Sequence, residues 1–160
     1  MLQVFYPEWN TATDRGCIMI RVVATGTFDI LHPGHLFYLS ESANLGDELY
    51  VIVARDRNVR HKPSPIVPET QRVLVVGALK PVTKAILGDL NDMFAPIREI
   101  QPDIITLGYN QHFSLEDLTK SLQDQGINAK IVRIPEYSSC TYCSSSMIVK
   151  QILTKNSGSK

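Results

Sequence analysis

The chain has 160 residues, 44% of them hydrophobic and 20% charged, which is room and composition for one globular domain of ordinary size. Its 16 Lys and Arg balance its 16 Asp and Glu, and this balance excludes both a cationic coat for nucleic acid and disorder driven by charge. No apolar run approaches the roughly 18 residues that a membrane span requires. We therefore expect a soluble protein with no nucleic-acid or membrane partner.

The N-terminal segment differs from the rest of the chain. Residues 1–18 show no sustained periodicity, and they lack the basic start and apolar stretch of a signal peptide. We expect a loose extension over residues 1–18, one domain over residues 19–154 and a flexible tail over residues 155–160. An edge strand over residues 2–6 is the alternative for the N-terminal segment.

Three cysteines stand at positions 17, 140 and 143. An odd number of cysteines without a signal peptide indicates a reducing cytoplasm. Cys140 and Cys143 have C-x-x-C spacing, which leaves plain thiols near a site, a redox-sensitive pair or metal ligands as alternatives. Plain thiols are favoured, because a zinc knuckle would need a second pair of ligands.

From residue 20 onward, strand-like and helix-like segments alternate. The predicted strands cover residues 20–25, 49–54, 82–87, 103–107 and 129–134, and the predicted helices cover residues 34–44, 68–79, 91–100, 114–126 and 144–153. The helix over residues 91–100 is expected to be interrupted or offset at Pro96. This alternation predicts an α/β domain with a doubly wound, five-stranded parallel sheet. The ligand crevice of such a sheet lies beyond the carboxyl ends of its strands, so segments 25–35, 108–112 and 135–146 matter most.

The densest chemical signal follows the first predicted strand, where residues 26–35 read Gly-Thr-Phe-Asp-Ile-Leu-His-Pro-Gly-His. Pro33 suits the first turn of a helix, and Gly34 has no side chain to keep a phosphate from the backbone. His32 and His35 are three residues apart and therefore share one helix face. The pattern predicts a receptor for phosphate oxygens; two histidines that only cap a helix are the alternative.

This motif resembles that of the H-x-G-H nucleotidyltransferases, and the resemblance extends from residue 19 to about residue 153. Residues 144–148, Ser-Ser-Ser-Met-Ile, stand where the cytidylyltransferase-like branch carries Ser-Thr-Thr-x-Ile. Residues 51–56, 79–88 and 102–108 further resemble the archaeal-type FAD synthases. The fold implied is a Rossmann-like nucleotidyltransferase fold.

The resemblance also implies a reaction, in which AMP is transferred from ATP to FMN and pyrophosphate is released. It implies a divalent cation carried on the phosphates and a homodimer. The implied catalytic residues are the histidine pair with Lys62 and Arg72 as mobile charge neutralisers. The implied ATP-binding residues are Thr27, Phe28, His32, Pro33, Gly34, His35, Asn110, Tyr137, Ser145 and Ser146.

Two features limit this transfer of roles. Asn110 stands where the family often has an aspartate, so no metal ligand is assigned there. The arginine that often precedes the Ser-Thr-Thr motif is absent as well. The basic run around Lys62 (Arg55, Arg57, Arg60, His61 and Lys62) is interpreted as a clamp over an anionic substrate, with a solvated basic face as the alternative.

Two other functions stay open at this stage. One is a cytidylyltransferase that acts on glycerol 3-phosphate or another phosphorylated acceptor. The other is a nucleotide-binding module without catalysis.

The loose extension can be tested by deletion. We expect removal of residues 1–18 to leave the thermal midpoint and the turnover close to those of the full chain, because the first strand starts after Met19. Differential scanning calorimetry and a rate assay measure both quantities. A large loss of either would show that the segment belongs to the fold.

Overall fold

The computed structural model describes residues 19–59, 64–111 and 113–157, and in them five parallel strands alternate with helices. The strands are β1 (Arg21–Gly26), β2 (Glu48–Val53), β3 (Lys84–Leu87), β4 (Ile104–Leu107) and β5 (Lys130–Arg133). The helices are α1 (Pro33–Ala43), α2 (Glu69–Gly77), α3 (Ala95–Ile100), α4 (Leu115–Asp124) and α5 (Ser145–Ser157). The predicted α/β fold with a five-stranded parallel sheet is confirmed. The expectations for residues 1–18 and for Lys62 fall outside the described residues.

The order of the strands in the sheet is β3-β2-β1-β4-β5. The chain runs outward from β1 to β3 and then returns to the other side of β1 to form β4 and β5. The direction of winding therefore changes between β1 and β4. In an open α/β sheet, the crevice beyond the carboxyl ends of two such strands is the usual ligand site.

Both faces of the sheet are covered, and successive residues of β1 point to opposite faces. Val22 and Ala24 belong to the core that contains Leu39 of α1 and Val76 of α2. Val23 belongs to a second core, built with α3 and α4. Burial on both faces explains why the strands are continuous apolar runs rather than alternating ones.

The third helix begins later than its sequence pattern predicts. Asp89 Oδ1 accepts the backbone N–H groups of Asn91 and Asp92, each at 2.8 Å. Asp92 Oδ1 in turn accepts the N–H of Phe94 at 2.9 Å. These local bonds hold residues 89–94 in turns, so α3 begins only at Ala95.

The last helix is longer than predicted. It continues to Ser157 and so enters the region expected as a flexible tail. Across the described residues, no helix is long and apolar enough to cross a membrane.

Arg72 is an internal connector, which corrects the expectation of a mobile charge neutraliser. Its side chain is only 1% exposed. Its Nε donates to Val67 O at 2.9 Å and its Nη1 to Thr27 O, while Nη2 donates to Ala54 O at 2.8 Å and to Asp56 Oδ1 at 2.6 Å. The guanidinium thereby ties the segments that follow β1 and β2 to the start of α2.

We expect Arg72→Met to lower the free energy of unfolding by about 3 kcal/mol, because three half-buried carbonyls and a carboxylate lose a donor that is itself fully buried. For a chain of this size, that loss corresponds to about 10 °C in the thermal midpoint. The matched control is Arg98→Met, since the Arg98 ion pair with Asp92 is exposed and such pairs contribute little. Equal shifts in the two variants would contradict the internal role of Arg72.

Candidate active site

The backbone turns sharply away from the sheet in the segment after β1. Phe28 has a φ of 52°, a conformation that a bulky residue rarely adopts, and its side chain is 2% exposed. Its ring folds back over Gly26, where an added Cβ would lie 2.7 Å from the ring. Gly26 is therefore required for packing, and the buried ring holds the unusual backbone in place.

His32 and His35 lie together at the start of α1. His32 is the N-cap residue of the helix, and the two imidazole rings stack with their centroids 3.8 Å apart. A Cβ at Gly34 would lie 3.0 Å from Nδ1 of His32, so glycine leaves room for the ring there. The ring of Phe28 lies 5.2 Å from that of His35. The structure thus brings the predicted histidine pair onto the carboxyl edge of the sheet.

The electrostatics of this helix start favour an anion. Helix α1 has no side-chain cap at its N-terminus and no acidic residue in its first turn. Its partial positive charge is therefore not neutralised by the helix itself. Burial lowers the pKa of His32 below its usual 6.5, so its imidazole is neutral at pH 7 and keeps one N–H donor.

The start of α5 packs against the same motif. Ser145 Oγ donates to Ile30 O at 3.0 Å, and Cys143 O lies 3.1 Å from the position of a Cβ at Gly34. Ser144 caps the helix by accepting the N–H of Met147 at 3.3 Å. Ser146, the other predicted phosphate ligand, is exposed. A second helix N-terminus therefore lies beside the histidine-bearing loop.

The C-x-x-C pair lies immediately before α5. The structure joins Cys140 and Cys143 in a disulfide, with their Cα atoms 5.6 Å apart. This pairing agrees with the redox-sensitive alternative rather than with the favoured plain thiols, and the place of the pair beside a site is as expected.

The other two predicted nucleotide contacts lie in segments after β4 and β5. Asn110 is exposed in the loop that follows β4. The ring of Tyr137 stacks on Phe37 of α1, with centroids 5.0 Å apart. Tyr137 thus joins the segment before α5 to the histidine-bearing helix.

The basic run after β2 is only partly within the described residues. Arg55 Nε donates to Glu69 Oε1 at 2.8 Å, so its charge is already paired. Arg57 is exposed. The remaining members of the run, residues 60–62, lie outside the described residues, as does His112.

Sequence reasoning missed three residues that shape the site. Asp29 accepts the N–H groups of Ile66 and Val67, at 3.0 and 2.8 Å, and so anchors the segment before α2. Tyr38 and Gln111 make hydrogen bonds across the base of the crevice. The available signals were slight: Asp29 lies inside the motif, and Tyr38 lies one helical turn after His35.

The described residues contain no group of three or more His, Cys, Asp or Glu side chains that could hold a metal ion. A cation that accompanies a triphosphate needs no such group, because it keeps several waters and binds mainly to the phosphates.

Comparison with known proteins agrees with this geometry. The model of the cytidylyltransferase-like family matches residues 23–151. A protein of Methanospirillum hungatei named FAD synthase is 70% identical over 134 residues, covering 84% of this chain and 86% of its own. An FAD synthase of Methanosarcina mazei is 54% identical over 155 residues, covering 97% of this chain and 99% of its own.

Solved structures share the fold. A protein of Thermoplasma volcanium, described as a lipopolysaccharide core biosynthesis protein, superposes with a TM-score of 0.73 at 51% identity and covers 75% of this chain and 99% of its own. The pantoate-beta-alanine ligase of Francisella tularensis is 15% identical with a TM-score of 0.58, covers 82% of this chain and 64% of its own, and shows the fold alone. The family match spans most of the chain, including the histidine pair, and so the chain belongs to the cytidylyltransferase-like family.

Proposed function

We propose that this protein is an FAD synthase, which transfers the AMP moiety of ATP to the phosphate of FMN and releases pyrophosphate. The archaeal relatives named FAD synthase match at 54 to 70% identity over most of the chain. The observation that carries the proposal in the structure is the stacked histidine pair at an uncapped helix start, on the switch-point edge of the sheet.

The chemistry requires little of the protein beyond position and charge. An oxygen of the FMN phosphate, ionised at neutral pH, attacks the α-phosphorus of ATP. The bond from that phosphorus to the oxygen bridging to the β-phosphate breaks, and pyrophosphate leaves. Because the nucleophile is already ionised, no general base is needed, and catalysis depends on orientation and on stabilising the charge that develops.

The described residues can serve these needs. His32 and His35 donate hydrogen bonds to the phosphoryl oxygens, and the N-terminus of α1 attracts the triphosphate. The backbone of Thr27 and Phe28 lines the nucleotide pocket. The start of α5, with Ser145 and Ser146, receives the outer phosphates.

The remaining contacts and partners are proposals of the same kind. Pro33 and Gly34 form the helix start, and Asn110 and Tyr137 face the adenosine end. Lys62 adds a positive charge. A divalent cation enters with the triphosphate, and the enzyme works in the cytoplasm. A homodimer is supported by the apolar side chains that α2 exposes, Leu74 and Val75 at 60% and 51%.

The reaction can be tested directly. We expect purified protein with ATP, FMN and Mg²⁺ to form FAD and pyrophosphate in equal amounts, as measured by chromatography and a pyrophosphate assay. CTP with glycerol 3-phosphate is the matched alternative pair of substrates. Turnover of that pair without turnover of FMN would show a cytidylyltransferase, and ATP binding without any turnover would show a binding module.

The histidine pair gives a second test. We expect His35→Ala to lower the rate of FAD formation at least about 100-fold, because a hydrogen-bond donor to the developing charge is lost. The thermal midpoint should change little, since His35 is only half-buried. Leu36→Ala, at the adjoining exposed position, is the control. A rate within about twofold of the wild type would remove His35 from the catalytic machinery.

A further inference from the structure

Strands β1 and β4 part at the base of the crevice. The pairing of β1 with β2 continues to Gly26, opposite Val53. Its pairing with β4 ends earlier, at Ala24 opposite Thr106. The backbone of Thr25, the next residue, therefore needs partners other than the sheet, because buried N–H and C=O groups are rarely left unpaired.

Two side chains supply these partners. The N–H of Thr25 donates to the hydroxyl of Tyr38 at 3.2 Å, and that hydroxyl donates to Thr106 O at 2.9 Å. Gln111 Nε2 donates to Thr25 O at 2.8 Å, while Gln111 Oε1 accepts the N–H of Gly108 at 3.0 Å. Tyr38 and Gln111 thus replace the missing hydrogen bonds between the two strands and fix how far the strands separate.

The hydroxyl bridge is buried and fully connected. Tyr38 is 8% exposed, and Ser42 and Thr106 are 0% exposed. Ser42 Oγ donates to Tyr38 O at 2.7 Å and lies 2.8 Å from Thr106 Oγ1. Burial raises the pKa of Tyr38 to about 12, so the phenol stays protonated and able to donate. In this arrangement each of the three hydroxyls can donate its one proton to a hydrogen bond.

The bridge is coupled to the histidines through packed rings. Tyr38 lies on α1 three residues after His35, so both side chains occupy one face of the helix. The ring of Tyr38 stacks on Phe28 with centroids 6.4 Å apart, and Phe28 lies against His35. A shift of the Tyr38 hydroxyl would therefore rotate α1 and move the imidazoles relative to the loops after β1 and β4.

We propose that Tyr38 and Gln111 are positioning residues of the reaction, which set the spacing of β1 and β4 and through it the placement of the histidine pair. The proposal rests on the proposed function of this site. It assigns catalytic importance to two residues that need not touch either substrate. Sub-ångström placement matters here, because transfer between two phosphates depends on in-line alignment.

The test compares two buried hydroxyls. Tyr38→Phe keeps the ring that packs on Phe28 but removes the bridge. Ser42→Ala removes a buried hydroxyl of the same network that bonds Tyr38 O and Thr106 Oγ1 rather than the Tyr38 hydroxyl. Both variants should lose stability. We expect Tyr38→Phe to lower kcat about tenfold, with smaller changes in KM, at a temperature well below its thermal midpoint. Ser42→Ala should stay within about twofold of the wild type.

Equal losses of kcat in the two variants, or none in Tyr38→Phe, would overturn the proposal. If Tyr38→Phe does not fold, Gln111→Met supplies the test, since it removes the partner of Thr25 O from a surface loop. Wild-type kcat in that variant would contradict the proposal equally. The ratio of variant to wild-type kcat can be measured with whichever nucleotide and acceptor the wild type uses. A wrong choice of acceptor in the proposed function therefore does not affect the comparison.

A spectroscopic measurement separates this proposal from the assignment of the reaction. We expect the ring ¹H–¹³C NMR signals of His32 and His35 to move in Tyr38→Phe and to stay near their wild-type positions in Ser42→Ala. Ring signals that are unchanged in both variants would show that Tyr38 does not position the imidazoles, even if FAD is formed. Absence of FAD formation in the wild type, with ring signals that move as expected, would refute only the proposed reaction.

Discussion

The parting of β1 from β4 is the constraint on which the site depends. A crevice at the switch point requires that the two strands separate. The separation leaves the backbone N–H and C=O of the residue after the last pair without a partner in the sheet. Here that residue is Thr25, and its N–H and C=O are taken up by Tyr38 and Gln111. The crevice stays open while the backbone N–H and C=O of Thr25 remain paired, and the helix that supplies Tyr38 also carries His35.

The order of the elements and the histidine pair could be predicted from the sequence because both depend on local signals. Strand-length apolar runs and helical spacing recur between glycine and proline boundaries, and their alternation allows few topologies. His32 and His35 lie within one helical turn, so spacing alone places them on one face. Pro96 indicated an offset in the third helix, but the turns over residues 89–94 were missed. The bonds from Asp89 and Asp92 compete with the helix in a way that the spacing of apolar residues does not show.

The partners of single polar side chains could not be predicted, because they come from distant parts of the chain. Arg72 looked like a free cation on a helix, yet its acceptors include Thr27, 45 residues away in sequence. Tyr38 drew no expectation from the sequence, and its hydroxyl reaches Thr106, 68 residues away. Such contacts follow from the register of the sheet and the rotation of the helices, which a single sequence does not specify.

The chain has no net charge, but the arrangement of its charged groups at this edge of the sheet favours an anion. Three carboxylates in the segments after β1 and β2 and at the start of α2 are engaged: Asp29 binds two backbone N–H groups, Asp56 pairs with Arg72, and Glu69 pairs with Arg55. An engaged carboxylate repels a triphosphate less than a free one, because its charge is offset by nearby donors. The uncapped N-terminus of α1 adds its partial positive charge beside the two imidazoles, so a chain without net charge can still attract a polyanion to one place.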